Sequence, residues 1–425
     1  MLQLVIDLPL LLVVSLVVVL TVISAEIQRR LGIPQVLGFI LTGIILGPLL
    51  LGLIDERLLA LAPVVTAVAL GFIGYNIGHE LKLSVARRQS RNLLPLVIAQ
   101  SFGPALLVFI LTLLWLKDPI PALLLGALAS ATAPAATADV IWEYKSRGSV
   151  TDAVMYTLIL DDVIAIVLTS ITMSVVLLML APTMLPLPLL IATPVIEIGA
   201  SLLLGAGAGL VLAHVLKRVK DHGRYILLLV SVILVLIGIA EFLHFSSLLT
   251  CMVLGIVLGN LSPSQAHDLS HEAEKIFSPV ILFFFVLFGA GMVDPAVLAI
   301  GGTFILVTTL LYVIGRGVGK YFGTRLAANI GDNPPTVKRY LGLCLFSQAG
   351  VAVGLSVVIA DRLAQLGLPH YGFLIVGVIG ISTLIFQIFG PFALKFAIHR
   401  AGEANNNITP DEIGHNANGL DPALN

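Results

Sequence analysis

Apolar stretches long enough to cross a bilayer alternate with short polar punctuation along nearly the whole chain, a pattern that predicts membrane-spanning helices. Thirteen candidate spans follow, at residues 8–28, 34–53, 59–78, 92–116, 119–141, 151–180, 188–216, 224–243, 246–261, 275–292, 296–323, 338–361 and 370–396. Two of them are interrupted. Residues 129–139 (ASATAPAATAD) set Pro134 among small and hydroxyl residues, with Ser130, Thr132 and Thr137 beside it. Residues 346–354 (FSQAGVAVG), containing Ser347 and Gln348, break the counterpart span. Proline and glycine inside a membrane helix free backbone groups, which survive at depth only when buried in protein or lining a wet cavity. A single break reads as a proline kink satisfied by Thr132 and Ser130. Two breaks in matching places predict crossed, discontinuous helices whose half-helix ends meet near the membrane centre.

The chain also resembles itself at an offset of about 212 positions, where Gly43-Ile-Ile-Leu-Gly47 meets Gly255-Ile-Val-Leu-Gly259 and residues 68–73 meet 280–285. That offset covers an odd number of spans, so the two halves are expected in opposite orientations, as an inverted-topology repeat. Composition agrees: 58% hydrophobic, 11% charged and a mean hydropathy of +1.07 exclude an ordinary soluble protein. The expected fold class is therefore an all-α polytopic membrane protein. The first apolar run lacks a basic residue before it and a small-residue cleavage site after it, so it reads as a first span rather than a cleaved signal. Cys251 and Cys344 lie far apart in apolar segments and suggest neither a disulfide framework nor a metal site.

Net charge is only -1, but the basic residues are strongly sorted. Of the 23 Lys and Arg, only Arg57, Lys117 and Arg362 fall on one side of the predicted membrane and only Arg316 within a span; all others, Lys320 counted among them, share the opposite side. The positive-inside rule then puts the amino terminus outside and the carboxyl terminus in the cytoplasm, in a multi-pass cytoplasmic-membrane protein. No basic footprint for nucleic acid is present. The tail, residues 401–425, is polar and expected to be disordered.

The most informative residues are Asp161 and Asp162, adjacent within the apolar stretch 153–180. A carboxylate at mid-membrane costs at least ~2.5 kcal/mol, which points to ion or proton traffic. Neighbouring helical residues diverge by ~100°, so the two cannot both face one small ion. Arg316, flanked by Gly315 and Gly317, stays protonated and needs a carboxylate. Asp161 is assigned to Arg316 as a structural ion pair and Asp162 to the transported ion, with the order of the two left open by the sequence. Burial and a nearby negative charge favour the protonated form of a carboxyl group, while a bound cation favours the ionised form, so proton and metal ion compete for it. Glu197 also falls in apolar context and reads as a packing residue, Glu241 as a solvated one near an outer end. His267 and His271 read as part of a solvated amphipathic linker.

As a set, the stretch from Arg30 to Pro48 (RLGIPQVLGFILTGIILGP), that from Gly71 to Leu81 (GFIGYNIGHEL), the Leu-Asp161-Asp162 centre and the Gly-Arg316 element resemble the monovalent cation:proton antiporters, in particular the Kef-type and NapA-like branch. The resemblance implies an NhaA-like fold with a membrane transporter domain over residues 1–400. Core helices are expected at about 59–180 and 275–396, and dimerisation or scaffold helices at about 8–53 and 188–261. It further implies a homodimer, elevator-like alternating access, no cofactor, and sodium or lithium with protons as the cargo. In the aspartate-pair antiporters the second aspartate binds the ion and the first pairs with a basic residue; carried over, these are Asp162, Asp161 and Arg316, with Thr132 at a ligand position. Two departures stand out: Thr132-Ala133-Pro134 lacks the aspartate of Thr-Asp-Pro, and arginine stands where lysine is common. Arginine does not release a proton, so the sequence predicts one-for-one, electroneutral exchange. A sodium-coupled solute symporter and a Kef-type potassium/proton efflux protein are the alternatives; the short tail argues against the latter. An intramembrane aspartyl protease is disfavoured because its carboxylates must converge from separate helices, and a channel lacks a reason for the inverted repeat.

Overall fold

A computed structural model describes residues 9–30, 34–81, 83–180, 187–218, 222–243, 245–292, 301–330 and 333–404. The described residues form sixteen helices: α1 (Leu10–Arg30), α2 (Gln35–Leu46), a short α3 (Glu56–Leu59), α4 (Ala62–Glu80), α5 (Leu83–Leu116), α6 (Pro119–Leu128), α7 (Pro134–Glu143), α8 (Ser149–Leu180), α9 (Leu187–Leu216), α10 (His222–Phe242), α11 (Ser247–Leu261), α12 (Pro263–Met292), α13 (Gly302–Ile330), α14 (Pro335–Cys344), α15 (Gly350–Gln365) and α16 (Pro369–Ala401). Nine are long and apolar enough to cross a membrane, and Gln35–Leu46, Pro119–Leu128 and Ser247–Leu261 are shorter apolar helices. Length alone does not reach the expected thirteen spans: the interrupted spans 119–141 and 338–361 are each two half-helices, α6 with α7 and α14 with α15, and the spans 34–53 and 246–261 hold only the shorter α2 and α11. The tail beyond residue 404 and the side chains of His267 and His271 lie outside the described residues.

Local chemistry sets the ends of the elements that matter. Asp118 accepts a hydrogen bond from the Ile120 amide at 3.0 Å and, with Pro119, starts α6. Pro134 pushes Ala133 into extended backbone, φ -91° and ψ 105°, so α6 cannot run on into α7. The start of α8 is held from the far end of the chain. Gly402 turns the chain out of α16 in the left-handed region, and Glu403 then accepts from the Val150 and Thr151 amides and the Thr151 hydroxyl, each at 2.8 Å.

Helix packing carries the repeat seen in the sequence. A Cβ at Gly43 of α2 would stand 2.0 Å from the Val286 carbonyl oxygen of α12, and one at Gly255 of α11 would stand 2.2 Å from that of Tyr75 in α4. Gly289 meets Ile40 and Gly78 meets Met252 in the same way. The α2–α12 and α4–α11 crossings thus map onto each other at the sequence offset, within one position, and only glycine allows such backbone approach. A third crossing, α5 with α13, brings Gly103 against Gly319 and Gly323 against Ala99. One group of helices forms around α5, α6, α7, α8, α13, α14, α15 and α16; a second forms around α1, α2, α4, α9, α10, α11 and α12. Within the second group, α4 packs chiefly on α11 and α12 on α2.

Candidate functional site

The two interruptions cross inside the first group. Residues 129–133 between α6 and α7 meet residues 345–349 between α14 and α15, and the Ala133 amide donates to the Ser347 carbonyl at 3.0 Å. Unpaired backbone at this depth needs partners. Arg316 supplies them: its guanidinium donates to the carbonyls of Phe346 at 2.6 Å, Ala131 at 2.7 Å and Ser347 at 3.1 Å, and lies 4.4 Å from the Phe386 ring centroid. The expected pairing of Arg316 with Asp161 is therefore corrected. Arginine's fork is spent on carbonyls of both breaks, and no ion pair joins it to Asp161 among the described residues.

The cation beside Asp161 is Lys320, one turn beyond Arg316 on α13 and fully buried. Its three N–H donors go to Gln100 Oε1, the Ser130 carbonyl and Thr132 Oγ1, each at 2.6 Å. Asp161 Oδ2 lies 3.6 Å from Nζ, a charge contact rather than a hydrogen bond. Asp161 Oδ1 accepts from the Ser101 hydroxyl at 2.9 Å and from Gln100 Nε2. Lys320, Gln100 and Ser101 were missed from sequence. The available signal was spacing: Lys320 follows Arg316 by four residues inside the apolar run 296–323, and Gln100-Ser101 interrupt α5 at mid-length. Moving Lys320 from the tally of loop charges into the site leaves the charge bias of the loops intact.

Asp162 diverges from its neighbour as the helical geometry requires. It is fully buried, and neither carboxylate oxygen has a hydrogen-bond partner among the described residues. An ionised carboxylate left so would cost several kcal/mol, so this position calls for a proton or a cation. The remaining residues singled out from sequence divide. Ser130 Oγ and Thr137 Oγ1 donate back to the Ala127 and Ala133 carbonyls, at 2.7 and 3.1 Å, and so serve the half-helix ends. Gln348 Nε2 donates to the Tyr312 hydroxyl at 2.7 Å, while the Ser347 hydroxyl is buried without a partner. Thr132 offers its hydroxyl to Lys320. Among the described residues no group of three His, Cys, Asp or Glu could hold a metal ion.

Residues 14–395 match the family profile described as "Sodium/hydrogen exchanger, transmembrane". Among curated proteins, the chain is 23% identical over 401 residues to a Na(+)/H(+) antiporter of Enterococcus hirae, covering 90% of this chain and 97% of that one. It is 27% identical over 277 residues to the ammonium/H(+) antiporter subunit AmhT of Alkalihalophilus pseudofirmus, covering 65% of this chain and 68% of that one. Among solved structures, the sodium proton antiporter MjNhaP1 of Methanocaldococcus jannaschii superposes with a TM-score of 0.74 at 19% identity, over 92% of this chain and 98% of that one.

Proposed function

This chain belongs to the sodium/hydrogen exchanger family, and from that membership we propose that it exchanges a monovalent cation, sodium or lithium, for protons at Asp162. The observation that carries the assignment is the buried, unpartnered Asp162 carboxylate beside an Asp161 already engaged by Lys320, Ser101 and Gln100. Asp162 alternates between a proton and the cation. Occupancy by one excludes the other, which couples their flows.

Lys320 changes the expected charge balance. The electroneutral expectation rested on arginine as the cation at the aspartate pair, and lysine, unlike arginine, releases a proton readily when buried. When a cation reaches Asp162, its charge and that of Lys320 compete for the same low-dielectric space. Loss of one proton from Asp162 and one from Lys320 for each cation bound moves net charge. The reading is thus electrogenic exchange, two protons against one cation.

The contacts of Gly354 with Leu70 and of Gly380 with Met292, made between the two helix groups through side chains rather than backbone, support movement of the first group, with Asp162, against the second as an elevator-like step. The amino terminus lies outside, the carboxyl terminus in the cytoplasm, and two copies pair through the second group. The test is dissipation of a pH gradient in proteoliposomes on adding sodium, lithium or potassium. Asp162→Asn should reduce exchange to background while remaining folded by size-exclusion profile; exchange at the parental rate would remove Asp162 from the site.

A further inference from the structure

A cavity of about 200 Å³ opens between the two helix groups toward the carboxyl end of α8. Ile166 and Thr169 line it from the face of α8 that carries Asp162, one and two turns further along. Glu197 of α9 and Glu241 of α10 line it from the second group, Asp361 and Arg362 of α15 from the first. Arg362 Nη2 lies 3.5 Å from Glu197 Oε1, so an ion pair joins the groups across the cavity. Its members differ in burial: the Arg362 side chain is 32% exposed, that of Glu197 only 11%.

Thr169 adds an independent observation. It is 6% exposed and its hydroxyl has no hydrogen-bond partner, whereas Thr157 on the same helix donates back to the Ala153 carbonyl at 2.7 Å. A buried hydroxyl that forgoes the carbonyl one turn back, on a residue lining a cavity with a carboxylate, calls for a polar partner. We propose that this cavity is a second alkali-metal cation site, with the Glu197 carboxylate and Thr169 hydroxyl as ligands. Arg362 is the internal cation that fills it between passages. This inference rests on the antiport reading, which makes sodium or lithium the cation.

The chemistry fits in three respects. Hard oxygen donors suit small hard cations. Glu197, being the buried member, needs a positive partner at all times, while the more exposed Arg362 is the member that water can reach. Thr169 stands seven positions beyond Asp162, roughly 10 Å along the helix, so a cation held there lies on the same helix as the deeper carboxylate.

The test compares sodium-driven proton movement from each membrane face, in right-side-out and everted vesicles, for the parent, Glu197→Gln, Arg362→Gln and Thr169→Val. From the cavity's face, half-saturating sodium should rise about fivefold in Glu197→Gln, the scale of one partly exposed ion pair. It should rise also in Thr169→Val and fall in Arg362→Gln, and none of the three should shift it from the opposite face. A bridge that merely ties α9 to α15 is broken equally by Glu197→Gln and Arg362→Gln, so shifts in the same direction, or no shift, overturn the proposal. Failure of the antiport reading would show separately, as a parent protein that moves no protons. The site then remains testable by thermal stabilisation with sodium, which must persist in Asp162→Asn and vanish when Glu197→Gln is added.

Discussion

Arg316 and Lys320 sit one helical turn apart on α13, yet their tasks are distinct. Arginine's planar fork can serve three carbonyls at once, and it satisfies both interruptions without needing a carboxylate. Lysine's compact ammonium directs three donors to neutral oxygens and leaves Asp161 at 3.6 Å. A charge balanced so loosely is one that can change. Lys320→Gln is therefore expected to retain sodium-dependent proton movement but to lose the membrane potential that the parent generates, as read by a voltage-sensitive dye in proteoliposomes. A potential of parental size in this variant would exclude Lys320 as a proton carrier. Sequence reasoning found the acidic half of this site because two carboxylates in an apolar stretch have no inexpensive explanation. It mispaired the basic half because charge alone does not reveal that three freed carbonyls together can occupy a guanidinium's donors. Proximity of Gln100 to Asp161 crosses 61 positions of chain and leaves no local trace.

At the scale of elements, the interruptions were legible because proline and glycine constrain backbone directly: Pro134, read from sequence as the interruption, holds Ala133 extended and keeps α6 from running on into α7. The attachment of the last residues to α8 was not legible, since Glu403 lies in a polar stretch that composition assigns to a tail. It nonetheless places a carboxylate on the amides that open the helix carrying Asp161 and Asp162. Glu403→Ala should destabilise the protein by about 1–2 kcal/mol, the usual worth of a helix cap reinforced by charge. Hydrogen exchange at the Val150 and Thr151 amides should accelerate accordingly, and unchanged protection there would show that solvent replaces the carboxylate without cost.

At the scale of the whole molecule, the closest approaches of glycine to another helix's backbone fall within a helix group among the described residues. Within groups, Gly43, Gly78, Gly103, Gly255 and Gly289 press against backbone carbonyls. Between groups, Gly350 and Gly354 of α15 face Ile73, Phe285 and Leu70, and Gly380 of α16 faces Met292, all through side chains. A Cβ at Gly354 would stand 2.8 Å from Leu70 Cγ, near enough for a disulfide between cysteines at the two positions. Oxidising the L70C/G354C protein should arrest exchange, and reduction should restore it; transport that survives a complete cross-link would rule out relative movement of the groups.

In an elevator stroke of the kind proposed, helices locked carbonyl to Cα would travel as solid pieces, with Gly354 and Gly380 gliding past rotatable methyl and thioether groups. Speed is then adjustable independently of grip. Gly380→Leu, which thickens the surface against Met292, should slow turnover severalfold while leaving half-saturating sodium where it was, a split that steady-state vesicle kinetics would resolve.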